Sequence, residues 1–262
     1  MQFGMPTLIE NNSLNENLML CKECEFDFVE LNMNLPEYQV EQLEKTDELR
    51  KIAEDFGVYF TIHLDENLNV CDFNNAVADA YLETVRRTID SALKLNAPII
   101  NMHMHKGVYF TLPDRKVYLF EKYSDFYTER IARFAKLCAD QIGNENLKIC
   151  IENTDGYPDY QKSAIELMLK ENCFALTWDI GHSHGVDNVD EDFIMQNISR
   201  LKHFHVHDGL GRKNHLTLGT GEIDLRQRLA VAESCNARCV VETKTVQALR
   251  QSANYLKTNG FI

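Results

Sequence analysis

No apolar run in this 262-residue chain approaches the roughly 20 residues that cross a bilayer, which sets aside a membrane span. The start, Met1-Gln2-Phe3-Gly4-Met5-Pro6, lacks the basic residues and apolar stretch of an export signal, so a cytoplasmic location is expected. Five prolines and 12 glycines, with no heptad run or biased tract, exclude collagen-like, coiled-coil and disordered classes. Basic residues are scarce as well: 27 Lys and Arg face 40 Asp and Glu, a formal net charge of −13. A field of that sign repels phosphate backbones, so nucleic acid is not an expected partner.

Disulfides are not expected either. The eight cysteines are scattered, and without an export signal they read as reduced thiols. Cys21-x-x-Cys24 has the spacing of half a zinc site or a redox pair. Its companion, Cys235 to Cys239, has three residues between and no histidine beside it, so ordinary buried thiols are the expectation.

What the chain does have is a regular alternation. Strand-like runs occur at Gln2–Leu8, Phe26–Met33, Val58–Leu64, Pro98–His105, Lys148–Thr154, Phe174–Asp179, Leu201–His207 and Arg238–Glu242. Between them lie helix-length segments with apolar residues at i, i+3 and i+4, such as Ala76–Leu95 and Phe126–Ile142. No linker divides the chain. Eight β/α units in one chain of this length match a single-domain α/β fold, a (β/α)8 TIM barrel over residues 1–262. An open doubly wound sheet also alternates β and α, but the first turn, Thr7 to Ser13, holds no glycine.

Several strands turn polar near their C-terminal ends, against the rule that buried parallel strands are continuously apolar. Side chains alternate along a strand, so His203, His205 and His207 share one face and Phe204 and Val206 the other; Asn101, His103 and His105 likewise share a face. In a barrel the polar face points inward, and polar residues at one height converge at the C-terminal mouth, where barrel enzymes keep their sites. Glu152, Asp179 and Glu242 would meet there, with no Lys or Arg on the inner faces at those strand ends to compensate them. Burying such carboxylates together is costly without a cation, so a divalent metal (Mn, Zn, Co or Mg) is the expected cofactor.

At these motifs the chain resembles the xylose isomerase-like barrels, the superfamily of sugar isomerases and epimerases that also contains endonuclease IV. The resemblance is carried by Ile151-Glu152-Asn153-Thr154, Trp178-Asp179-Ile180-Gly181-His182, His205-Val206-His207-Asp208, the stretch Arg212 to Asp224, and Val241-Glu242-Thr243. It implies one ion held by Glu152, Asp179, His205 and Glu242, with Glu152 and Glu242 also moving protons as catalytic acid and base, and His182 binding substrate. The implied activity is isomerisation or epimerisation of a small sugar, keto-sugar or sugar-derived substrate through a metal-stabilised enediolate. Endonuclease IV-like relatives bind three zinc ions with further histidines. Here His63, His105, His182 and His215 fall where such ligands would, but Lys213 replaces the aspartate of their Asp-x-His pair. A zinc phosphodiesterase acting on abasic DNA is therefore the alternative reading, and a non-enzymatic carbohydrate-binding barrel the third. His63, His105, His215 and Lys213 are candidate substrate contacts, and the long loop after strand four, with Lys106, Tyr109, Phe110 and Arg115, is placed to cover a sugar. Trp178, one residue before Asp179, is expected in the core.

Overall fold

In the computed structural model, which describes residues Met1–Ile262, eight parallel strands close on themselves in sequential order. They are β1 (Gln2–Pro6), β2 (Phe28–Asn32), β3 (Tyr59–His63), β4 (Ile99–His103), β5 (Lys148–Glu152), β6 (Phe174–Asp179), β7 (Leu201–Val206) and β8 (Arg238–Val241). β1 pairs with both β2 and β8, which closes the barrel. This is the (β/α)8 architecture that the alternation implied.

Each strand is followed by a helix: α1 (Leu14–Glu23), α2 (Thr46–Phe56), α3 (Asn75–Leu95), α4 (Ser124–Ile142), α5 (Asp159–Met168), α6 (Glu191–Gln196), α7 (Leu225–Ser234) and α8 (Val246–Thr258). The ends of α3 show why it stops where it does. The Asn74 side chain accepts from the Ala76 N–H at its start, and Asn96 takes a left-handed conformation (φ 55°) at its end. Between them Leu82, Val85, Ile89 and Ala92 form a buried stripe against the barrel. No helix is long and apolar enough to cross a membrane.

Strand starts fall within two residues of the sequence reading, whereas ends fall short by up to two. β4 stops at His103 because its last partner pair is His103↔Glu152, so His105 lies in the following loop. That loop holds a short antiparallel hairpin, Tyr109–Thr111 against Lys116–Tyr118, and a second hairpin, Asp208–Leu210 against Lys213–Leu216, follows β7. Both are local additions on the rim that period-two patterning does not announce in three-residue pieces. All eight cysteines are free and seven are buried. Trp178 is fully buried, its Nε1 donating to Ser183 Oγ at 3.0 Å.

Candidate active site

The ends of four neighbouring strands bring four side chains together. Glu152 closes β5, Asp179 closes β6, His205 lies beside Asp179 in the β6–β7 register, and Glu242 follows β8, its N–H donating to Val206 O at 3.0 Å. One ligand atom from each of the four lies within 4.8 Å of the others. His205 Nδ1 stands 3.2 Å from Glu152 Oε1, 3.0 Å from Glu242 Oε2 and 3.9 Å from Asp179 Oδ2.

The bonding within this group is informative because part of it is missing. His205 Nδ1 and Glu242 Oε2 are fully buried, yet neither has a hydrogen-bond partner. They are close but not aligned as donor and acceptor. The other ring nitrogen, Nε2, does have a partner, Glu30 Oε1 at 2.9 Å. A carboxylate only accepts, so the proton is assigned to Nε2 and a lone pair to Nδ1. Lone pairs from one imidazole and three carboxylates then face a common point, the donor set and count of a divalent ion. The residues fit the cofactor that the carboxylate cluster implied.

Charge gives the same answer. Burial pushes the Glu152 carboxyl up, but the His205 and His103 imidazoles outweigh it and hold it well below the usual range. Glu242 is held down likewise, against burial, by His205, His215 and Lys244. Burial drives His205 down, but Glu152, Glu242 and Glu30 overcome it and raise it well above the ordinary value. The cluster demands positive charge, which protons supply in the metal-free protein and an ion supplies without them. One cation does reach the rim: Lys244 Nζ meets Glu242 Oε1 at 2.8 Å, from the loop beyond β8 rather than a strand face.

The two oxygens of Glu152 face different neighbours. Oε2 accepts from Asn101 Nδ2 and faces His103 Nε2 at 3.1 Å and His63 Nε2 at 3.4 Å. His63 Nδ1 donates to Leu64 O at 2.7 Å, which leaves Nε2, facing Glu152, as the nitrogen that gains or loses a proton. His103 Nε2 is buried and unpartnered. Sequence reasoning chose His105 for this position; the structure puts His103 there. His105 lies two residues past the strand, where its Nδ1 accepts the Gly107 N–H.

Asp179 serves two structures. Its Oδ1 accepts the His182 N–H at 2.6 Å, capping the short helix Ile180–Gly185, and its Oδ2 accepts from His207 Nε2 at 3.0 Å. His207 Nδ1 in turn accepts the backbone N–H of His215 at 2.8 Å, so neither ring nitrogen of His207 is free for an ion. His182 Nδ1 lies 3.5 Å from Asp179 Oδ2, and His215 Nε2 lies 3.6 Å from Glu242 Oε1, so both reach the rim of the cluster. Lys213 does not: it is exposed on the hairpin after β7. Tyr109 and Phe110 are about half exposed on the other hairpin, with Lys116 over the Tyr109 ring, while Lys106 and Arg115 are paired with Asp155 and Asp114.

Two residues central to the geometry were missed. Glu30 sits in β2 as the only charge in Phe-Val-Glu-Leu-Asn, but in mid-strand rather than at the C-terminal end where Glu152 lies. Asp208 is buried and accepts four backbone N–H groups, from Gly209, Gly219, Gly221 and Ile223, pinning the loop that carries His215. Nothing in the sequence signals that role.

Comparisons with known proteins agree with the barrel architecture. The family model described as a xylose isomerase-like TIM barrel matches residues 18–259. An uncharacterized protein of Methanocaldococcus jannaschii is 24% identical over 196 residues, covering 73% of each chain. A crystal structure of a D-tagatose 3-epimerase-like protein superposes with a TM-score of 0.76 at 21% identity, over 98% of this chain and 96% of that one. The IOLI protein, crystallised with a zinc atom, superposes with a TM-score of 0.73 at 15% identity, over 99% of this chain and 97% of that one. At these identities the superpositions speak for the fold.

Proposed function

The chain belongs to the xylose isomerase-like TIM-barrel family, and from that premise we propose that it is a divalent-metal-dependent isomerase or epimerase of a small sugar or sugar-derived substrate. The observation that carries this reading is the convergence of His205 Nδ1 and Glu242 Oε2, buried and unpartnered, with Glu152 and Asp179. The likeness to a sugar epimerase-like fold and to a zinc-binding relative supports it.

Glu152, Asp179, His205 and Glu242 hold the ion, which supplies a Lewis acid that lowers the cost of negative charge on the substrate's carbonyl and hydroxyl oxygens. The proton work belongs to the two glutamates. One carboxylate takes the proton from the carbon beside the carbonyl, and the other returns one from the opposite side. His182 and His215, at the rim, are placed to hydrogen-bond substrate hydroxyls. His63 contacts Glu152 and is assigned a role through it. Lys213 and His105 are dropped from the substrate-binding set, because neither reaches the cluster.

The test is solvent exchange. Incubation with ketopentoses and ketohexoses in deuterated water is expected to label the carbon beside the carbonyl, and chelation to abolish the label. Binding of a sugar without exchange or turnover would instead identify a carbohydrate-binding barrel.

The His63 and His103 nitrogens facing Glu152 Oε2 favour one variation, a centre with more than one ion. Metal stoichiometry by elemental analysis decides it. Even then Lys213 and the net charge of −13 stand against abasic DNA as substrate, and incision of an abasic duplex is expected to be absent.

A further inference from the structure

Glu30 is a buried acid for which the proposed chemistry has no direct use. It lies in the middle of β2, its side chain 2% exposed, in a layer of the barrel interior below the four-residue cluster. Branched apolar side chains usually fill that layer. Here it contains Glu30, Thr61, Asn101, Thr177 and His203, all buried. A carboxylate in such a place is costly unless every lone pair is used.

Both oxygens of Glu30 are engaged. Oε2 accepts from Thr61 Oγ1 at 3.0 Å, and Oε1 accepts from His205 Nε2 at 2.9 Å. Thr61 holds the carboxylate, and the carboxylate holds the imidazole. We propose that Glu30 is a positioning residue: it fixes the His205 ring with its Nδ1 lone pair aimed at Glu152, Asp179 and Glu242, and so sets how tightly the centre holds a divalent ion. This rests on reading those four side chains as an ion site. Without an acceptor at Nε2, the alternative tautomer would point an N–H at the carboxylates, and the ring would be free to turn. A carboxylate acceptor also makes the imidazole a stronger ligand, and loss of such partners typically weakens metal binding 10–100-fold.

The test measures zinc binding by the full chain, stripped of metal, in competition with a chromophoric chelator. Glu30→Gln keeps an acceptor without its charge, and Glu30→Ala removes both. Affinity is expected to fall about tenfold in Glu30→Gln and toward 100-fold in Glu30→Ala. In zinc-loaded protein labelled with ¹⁵N-histidine, the buried His205 Nε2–H resonance should shift in Glu30→Gln and exchange away in Glu30→Ala. Should Glu30→Ala not fold, Glu30→Gln alone decides. Zinc affinity within twofold of the original chain, with that resonance unmoved, overturns the inference even if melting temperature drops, because the residue would then be only a structural plug. If the unaltered chain takes up no zinc, the ion reading falls and this inference with it. If the unaltered chain binds and the variants bind as tightly, the inference alone falls.

Discussion

Asp179 receives a hydrogen bond from His207 Nε2 at 3.0 Å, and both side chains are wholly buried. The bond leaves Asp179 little freedom to turn away from the cluster, which is what a ligand of fixed aim requires. His207→Phe keeps a ring in the space but removes this bond and the one accepted from His215. It should weaken divalent-metal affinity by about 10–100-fold while the chain still folds. Chelator competition and far-ultraviolet dichroism measure the two; unchanged affinity would show that Asp179 needs no such support.

Gly181 supports the same pair from the other side. A methyl group there would fall inside the His207 ring. Gly181→Ala should therefore reproduce the metal-affinity loss of His207→Phe with every proposed ligand intact. A variant that binds metal normally would mean that the ring can shift without disturbing Asp179.

Glu152→Gln and Glu242→Gln should each lower solvent-proton exchange at the substrate carbon by at least 10²–10⁴-fold, the range lost with a general acid or base. Exchange retained in both would remove the glutamates from the chemistry. Mass spectrometry of recovered sugar after incubation in deuterated water gives the answer.

Stability of the metal-stripped chain should depend on pH in a defined direction. Burial lowers His63, but its hydrogen bond and proximity to Glu152 prevail, leaving it at about 9, up from 6.5; His205 is also raised. A raised base stabilises the fold fully below its unfolded value and loses that contribution as pH climbs through the folded one. Glu152 and Glu242, held low, contribute above their unfolded value near 4.5 and lose it on acidification. Melting temperature should thus be highest between about pH 4.5 and 6.5 and fall toward pH 9. Loading the ion, which takes over the charge of those protons, should flatten the alkaline side. Parallel slopes in the stripped and loaded forms would contradict this.

Asp208→Ala removes the acceptor of four buried or half-buried backbone N–H groups. A loss of several kcal/mol is expected, at about 1–3 kcal/mol for each donor left without a partner. Because the same loop carries His215, substrate KM should rise more than kcat falls. Chemical denaturation and steady-state kinetics test the two parts separately.

The barrel was legible because eight apolar runs alternate with amphipathic segments, and each run needed only its own residues to be recognised. The carboxylates of the cluster were legible because Glu152, Asp179 and Glu242 sit as charges at the ends of apolar strands, whereas His205 shares its face with His203 and His207 and was singled out only by the family resemblance. His103 against His105 was not, because period two puts both on one face and only the pairing of β4 with β5 says where the strand ends. Glu30 was hidden by its place in mid-strand, away from the rim where polar residues were sought. Lys244 was missed for the opposite reason: it reaches Glu242 from a loop, and strand periodicity says nothing about loops. Asp208 gives its bonds to the backbone of residues up to 15 positions away, a relationship that side-chain patterning does not encode.

β8 lies between β7 and β1, with Val240 in register with Gly4 and His205. Glu242 follows two residues later, so its place depends on the first few residues of the chain as well as on the last strand. Those two segments lie far apart in the sequence and meet only where the sheet joins up with itself. Three of the four carboxylate and imidazole arms stand on β5, β6 and β7, whereas the fourth is set in place by the strand that seals the ring. Metal capture at full affinity is therefore a property of the sealed ring, not of any run of strands within it.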